Sequence, residues 1–226
     1  MNELTQESLV GIARQYYPAG FPVKEEDLSE AVPAHHRTPE HERFMAAWEK
    51  AQHWPEWKQL TKELQGAFPG YGIGGGTQPF VSACTRCFVY SEEPLPGEER
   101  FVTRVAAAVS ILAPFYIVYV TTQIWRSTYT PYFSPRDNIP SGEVKGIETF
   151  RLYHSSRPEL AFAPPSAFQP AADTLARLIE QVLGYRRFPL EFAKVSLPDL
   201  RVGFFNGEGP PTLLDALFSD NLANLP

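Results

Sequence analysis

The chain reads VAAAVSILAPFYIVYVTTQIW at residues 105–125, a run of 21 residues without a charged side chain. A run of this length could cross a bilayer, for which about 20 apolar residues suffice. However, Thr121, Thr122 and Gln123 fall where a membrane span should remain apolar. We therefore expect this run to lie in the core of a soluble protein.

Pro114 divides the run into two parts of different character. The alanine-rich part before it is typical of a buried helix, which we predict over residues 98–113. The part after it, residues 115–125, is β-branched and aromatic, as in a strand at the centre of a sheet. A helix followed by a strand indicates an α+β protein.

The other predicted helices rest on apolar spacing and on capping residues. Leu175, Leu178, Ile179 and Val182 form the clearest apolar stripe, and Gly184 follows it where a left-handed residue ends a helix. The pattern predicts helices over residues 5–17, from Thr38 and Pro39 onward, from Pro55 to near Gly66, over residues 170–183 and over residues 211–218.

Strands separated by a helix and by irregular loops predict an antiparallel or mixed sheet covered by helices. The predicted strands are residues 80–90, 115–125 and 144–154, with a glycine-rich loop at 69–76, a turn at 92–97 and an irregular stretch at 127–142. The length fits one α+β domain over residues 1–226, with a mainly helical part, 1–66, packed on a sheet-containing part, 78–226.

Composition and charge narrow the class of protein. A hydrophobic fraction of 43% supplies a core, and 22 prolines predict long, stiffened loops. The formal net charge of −6 disfavours nucleic acid or an anionic membrane surface as a partner, and it permits a basic protein partner. The first residues, MNELTQE, do not resemble a signal peptide, so we expect a cytoplasmic protein with reduced cysteines.

Two motifs suggest small ligands but lack the rest of the required pattern. The glycines of GIGGGT (residues 72–77) are followed by Pro79 and a predicted strand, not by a helix that could bind phosphate. Cys84 and Cys87 have the CxxC spacing, but within a strand residues three apart point to opposite faces, so the two sulfurs should diverge. We predict no cofactor and no metal.

The histidines could suggest a metal or catalytic site. Four of them, His35, His36, His41 and His53, match no metal-binding spacing, and we expect exposed side chains near a helix start. His154 follows a predicted strand and precedes two serines, without the surroundings of a catalytic triad. The alternative of a small enzyme would rest on polar residues near it, of which Glu148, Arg151 and His154 are the best cluster.

Carboxylates gather around two predicted turns. One interpretation is that they are solvent-exposed and part of the first turn of a helix, without a binding function. The other is that they form a patch that attracts a basic partner. The candidate partner-binding residues are Glu25, Glu26, Asp27, Glu30, Glu92, Glu93, Glu98 and Glu99. Aromatic residues in the loop 129–133 are a second candidate for a recognition surface.

Several segments near the two ends of the sequence resemble a known group of bacterial proteins. They are MNEL (1–4), ARQYYP (13–18), YRRFPLE (185–191), PDL (198–200) and PTLLDALF (211–218). Over the regions that contain these segments, about a quarter of the chain, it is similar to immunity proteins of contact-delivered lipoprotein toxins in polymorphic-toxin systems. The resemblance implies a non-enzymatic cytoplasmic protein that binds one cognate toxin, and it assigns no functional residues.

Overall fold

The structure is a computed structural model and describes residues 4–21, 33–132 and 148–226. The described helices are α1 (Gln6–Ala13), α2 (Pro39–Gln52), α3 (Pro55–Ala67), α4 (Gln169–Leu183) and α5 (Leu213–Leu217). The described strands are β1 (Gly72–Gly75), β2 (Cys84–Leu95), β3 (Glu99–Ser110), β4 (Phe115–Tyr132), β5 (Glu148–Ser155), β6 (Glu159–Ala161) and β7 (Arg186–Arg187). The α+β class and the sheet with helices on it are confirmed.

The strands form one sheet in the order β1-β2-β3-β4-β5. The second edge of β4 is shared along its length, first by the parallel β7, then by the antiparallel β6, and then by the antiparallel β5. β3 and β4 are therefore the central strands. This agrees with the prediction for residues 115–125, although β4 continues to Tyr132 through residues predicted to be irregular.

The sheet is covered on both faces. On the back face, side chains of α3 and α4, including Leu60, Leu64 and Leu175, pack against Val105 and Val118. On the front face, α1, α2, α5 and the residues after α5 pack together on the sheet. The predicted N-terminal helical part is thus divided between the two faces, with α1 and α2 in front and α3 behind.

Local signals set several helix ends as predicted, but α1 ends at Ala13 and not at residue 17, because residues 15 and 16 form tighter turn bonds to the carbonyls of Ile12 and Ala13. Thr5 and Ser8 form a reciprocal capping box at the start of α1, and Thr38 Oγ1 accepts a hydrogen bond from the His41 backbone N–H at the start of α2. Gly184 ends α4 with φ at +67°, in the left-handed region that glycine adopts without strain.

The prediction of a helix over residues 98–113 is wrong, because this segment forms β3. Ala106 lies in register between Phe88 and Tyr119, and Ala107 lies between Cys87 and Val118, so the alanines give room to larger neighbours. All residues from 102 to 110 are buried because both faces of the sheet are covered. A strand buried on both faces has no alternating pattern that distinguishes it from a buried helix.

Three further boundaries differ from the predictions. The strand predicted to begin at residue 80 begins at Cys84, as β2. Residues 72–75 of the glycine-rich loop form the edge strand β1. The predicted turn at 92–97 is shorter, because Glu92 and Glu93 belong to β2 and the hairpin turns between Leu95 and Glu99, with Gly97 and Glu98 at positive φ.

Two buried polar side chains join the sheet to the front layer. Arg86, which is 1% exposed, donates through Nη1 to the carbonyl oxygens of Asn221 and Asn224 at 3.1 and 3.0 Å, and through Nη2 to Gln78 Oε1 at 3.2 Å. Trp48 on α2, also 1% exposed, donates from Nε1 to the Ser82 carbonyl at 2.7 Å.

A third buried polar side chain links the two ends of the described chain. The Tyr17 hydroxyl, just after α1, donates to the carbonyl of Ala216 in α5 at 2.7 Å. The front layer therefore depends on contacts between segments far apart in sequence. Within the described ranges, no helix has both the length and the apolar character needed to cross a bilayer.

Candidate binding pocket at the hairpin end of the sheet

The front face of the sheet carries polar and aromatic side chains where the β2–β3 hairpin extends beyond the helices. Because side chains alternate along a strand, register places Tyr90, Arg104 and Thr121 in one row across β2, β3 and β4. The next row contains Glu92, Val102 and Gln123. These rows bring residues distant in sequence to one surface.

A cavity of about 370 Å³ opens over these rows, and we call it the hairpin pocket. Its lining residues are Ile73, Gly74, Gly75, Phe88, Tyr90, Glu92, Val102, Arg104, Trp125 and Pro226. Its walls are mostly apolar or aromatic, with few charged groups, which is typical of small binding sites.

Arg104 is the central polar residue of the hairpin pocket and is only 3% exposed. Its guanidinium carbon lies 5.8 Å from the centre of the Phe88 ring and 5.6 Å from that of Trp125, within the range of cation–π attraction. Nη1 donates to Gln123 Oε1 at 3.3 Å, whereas the buried Nε–H has no acceptor among the described residues.

Gln123 fixes the position of both neighbouring donors. Its Oε1 accepts from Arg104 and, at 2.9 Å, from the Trp125 indole N–H. Its Nε2 donates to the Ser156 carbonyl at 2.8 Å, which anchors the amide to the segment after β5. The arginine and the indole are therefore held in place before any ligand binds.

The hairpin pocket is lined by one basic and one acidic side chain, those of Arg104 and Glu92. Burial lowers the pKa of Arg104, and the nearby Glu92 carboxylate acts in the opposite direction by stabilising the charged form. An arginine remains protonated in proteins, so the hairpin pocket holds a positive charge at neutral pH.

Two of the predicted acidic residues near the hairpin form ion pairs with arginine side chains. Glu92 lines the hairpin pocket and pairs with Arg100 at 2.7 Å, whereas Glu99 accepts from Arg126 Nε at 2.7 Å on the opposite face of the sheet. Glu93 and Glu98 are exposed near the hairpin turn. The other candidate carboxylates, Glu25, Glu26, Asp27 and Glu30, lie outside the described residues.

The glycines of β1 form a wall of the hairpin pocket for a steric reason. A Cβ atom on Gly74 would lie 2.3 Å from the Phe88 ring, and one on Gly72 would lie 2.2 Å from the Tyr90 ring. These aromatic rings lie across the edge strand, where a side chain would displace them. The glycines thus serve cross-strand packing.

Replacing Gly74 with alanine should therefore destabilise the protein by about 1–3 kcal/mol, since the Phe88 ring must move. Gly75 provides a matched control on the same strand, because a Cβ atom there would meet its nearest neighbour, the Arg86 carbonyl, at 3.5 Å. Urea unfolding of both variants measures the difference. Equal effects of G74A and G75A would contradict the packing role.

The two cysteines lie on opposite faces of β2, as predicted. Cys84 belongs to the front core and Cys87 to the back core, and both are buried free thiols. Burial raises the pKa of each thiol to about 12. Reactive cysteines have lowered pKa values, so this pair serves packing.

Both thiols should resist alkylation by iodoacetamide at pH 8, with a thiolate fraction about 10³-fold below that of an unfolded chain. Unfolding returns the thiols to an ordinary pKa near 9.0, so the folded state should lose stability as the pH rises from 9.0 toward about 12. Mass spectrometry after labelling, with and without urea, measures the reactivity. Rapid labelling of either thiol in the native protein would contradict this.

The predicted exposure of the histidines near α2 is wrong for His35, which is 4% exposed. His35 lies in a 3₁₀ turn, and a Cβ atom on Gly203 would lie 3.2 Å from its ring, so the absence of a side chain at Gly203 gives it room. His36 and His41 are half-buried and stack with their rings 4.2 Å apart. The described residues contain no group of three or more ligands that could hold a metal ion.

The alternative cluster lies along β5. His154 is exposed and pairs in register with Arg126, while Glu148 and Arg151 belong to the same strand. In the loop predicted at 129–133, residues 129–132 belong to β4 and Phe133 lies outside the described residues.

The sequence interpretation missed Tyr90, Arg104, Gln123 and Trp125 as candidate site residues. The available signal was Arg104 itself, a charged residue directly before a long uncharged run. Arg104 becomes part of a site through Phe88, Gln123 and Trp125 of the neighbouring strands. The strand register, which the sequence does not reveal, brings these side chains next to it.

No protein-family model, curated protein or solved structure matches this chain.

Proposed function

We propose that this chain is a non-enzymatic immunity protein, which binds a cognate protein toxin in the cytoplasm and neutralises it. The resemblance of its end segments to such proteins motivates the proposal. The observation that carries it is the hairpin pocket, an open cavity that Tyr90, Arg104 and Trp125 line together. Tryptophan, tyrosine and arginine are the residues that most often dominate the energy of protein–protein interfaces.

The arrangement around the hairpin pocket also suits an interface. One charged pair, Glu92 with Arg100, lies beside the aromatic centre, and a second pair, Glu99 with Arg126, lies on the opposite face of the sheet. An apolar and aromatic centre with a polar rim is the usual organisation of a protein interface. Bound toxin would cover the centre and leave the charged rim close to water.

The local charge favours a mixed contact over a purely acidic one. The Glu92 carboxylate lies near the guanidinium groups of Arg100 and Arg104, whereas Glu99 pairs with Arg126 on the opposite face of the sheet. If the toxin is a basic nuclease, the exposed Glu93 and Glu98 remain the best candidates here for attracting it.

The test is capture of the toxin encoded beside this protein by the tagged full chain, followed by measurement of toxicity and affinity. Replacing Trp125 with alanine should weaken binding about 30-fold, the effect of a 2 kcal/mol hot spot. Trp57, half-buried on α3, provides the control, and W57A should bind as wild type does. A toxin that the wild-type chain neither binds nor neutralises would refute the proposal.

The same assay tests the acidic contact. Replacing Glu93 and Glu98 with alanine should slow association several-fold at low salt and less at high salt, because exposed charges act mainly on the association rate. Replacing Glu63, exposed on α3, provides the control. An unchanged affinity and association rate in the double variant would exclude these two residues as the contact.

A further inference from the structure

We propose that the hairpin pocket binds a carboxylate side chain, an aspartate or glutamate of the toxin, through the guanidinium group of Arg104. This inference rests on the proposed function for the source of the carboxylate, whereas the preference for a carboxylate rests on the residues of the hairpin pocket. The first supporting observation is that Arg104 is 97% buried and lines the hairpin pocket. A guanidinium group buried to this extent ordinarily has acceptors for its N–H groups.

The hydrogen bonds of Arg104 leave part of the guanidinium group available. Nη1 of Arg104 donates to the Gln123 side chain, whereas its Nε–H has no acceptor among the described residues. The side of the group formed by Nε and Nη2 matches the two oxygens of a carboxylate, which accept two parallel N–H bonds. The rings of Phe88 and Trp125 lie within the range of cation–π attraction to the guanidinium group.

The surroundings favour a carboxylate over a more highly charged anion. Glu92 lines the same cavity, and its negative charge disfavours a dianion such as phosphate more than a monoanion. The single buried guanidinium of the hairpin pocket balances one negative charge. The aromatic rings of Tyr90 and Trp125 provide apolar surface for the methylene groups of an acidic side chain, and about 370 Å³ is ample for it.

The decisive experiment uses two probes that differ in one group, N-acetyl-glutamate methylamide and N-acetyl-glutamine methylamide. Each is titrated into the full chain while NMR follows the indole N–H of Trp125 and the Nε–H of Arg104. We expect the glutamate probe to shift both signals with saturation at millimolar concentration, and the glutamine probe to bind at least 10-fold more weakly. Equal binding of the two probes would overturn the proposal, and this comparison needs no variant that might misfold.

Two variants connect the hairpin pocket to the toxin. R104M removes the guanidinium group, and R104K keeps the charge without the planar pair of donors. Both should lose binding of the glutamate probe and weaken toxin binding by at least 10-fold, while circular dichroism confirms that they are folded. Undiminished toxin binding by the two folded variants would overturn the proposal.

The probes and the toxin report separately on the two proposals. If the glutamate probe binds selectively but the wild-type chain captures no toxin, the immunity proposal fails and the toxin is excluded as the source of the carboxylate. If the toxin is captured but the two probes bind equally, the immunity proposal stands and the carboxylate site is refuted.

Discussion

Replacing Arg86 with methionine should lower the free energy of unfolding by about 3–5 kcal/mol. Methionine fills much of the space of the arginine stem but donates no hydrogen bond. The carbonyl oxygens of Asn221 and Asn224 and the amide oxygen of Gln78 would then lose their donors inside the protein. For a chain of 226 residues, this corresponds to a fall in Tm of about 10 °C.

Urea unfolding followed by circular dichroism measures this loss, and Arg177 offers the matched control. Arg177 is exposed on α4, where it donates to Gln181 at 3.1 Å within the same helix. R177M should therefore change stability by no more than about 0.5 kcal/mol. Similar small losses in both variants would mean that the bonds from Arg86 to the segment after α5 contribute little.

Replacing Trp48 with alanine should destabilise the protein by about 3–5 kcal/mol, the usual cost of removing a large buried aromatic side chain. The indole is 1% exposed, and its ring centroid lies 5.9 Å from that of Phe80. Its loss would open a cavity between α2 and the sheet. It would also leave the Ser82 carbonyl without the bond that Trp48 now donates.

The variant W48F separates these two contributions in the same unfolding assay. Phenylalanine retains most of the apolar volume but has no N–H, so it should cost about 1–2 kcal/mol. Two variants of equal stability would show that the hydrogen bond to Ser82, and not the packing of the ring, accounts for the effect.

The elements predicted correctly from the sequence are those with local signals. Thr38 and Pro39 identify the start of α2, and Gly184 identifies the end of α4, because capping depends on residues close in sequence. The sequence predicts a strand over residues 115–125 because β-branched and aromatic side chains favour a sheet wherever their partners lie.

The errors occur where distant residues decide the structure. The alanines of β3 are typical of a helix when the sequence is considered alone. In the structure they form a strand, because Ala106 lies between the large side chains of Phe88 and Tyr119. The glycines of β1 are likewise typical of a loop. In the structure they form a strand, because their missing side chains leave room for the rings of Phe88 and Tyr90. Arg104 is part of a site for the same reason, since the groups that hold it come from β2 and β4.

The bond between Tyr17 and Ala216, which spans 199 residues, bears on the order in which the protein folds. Neighbouring strands of the β1-β2-β3-β4 meander are close in sequence, so their pairing closes short loops. Closing a longer loop costs more conformational entropy, and distant contacts slow folding. We therefore expect the meander to assemble first and the front layer to complete the native state in the slower, later step.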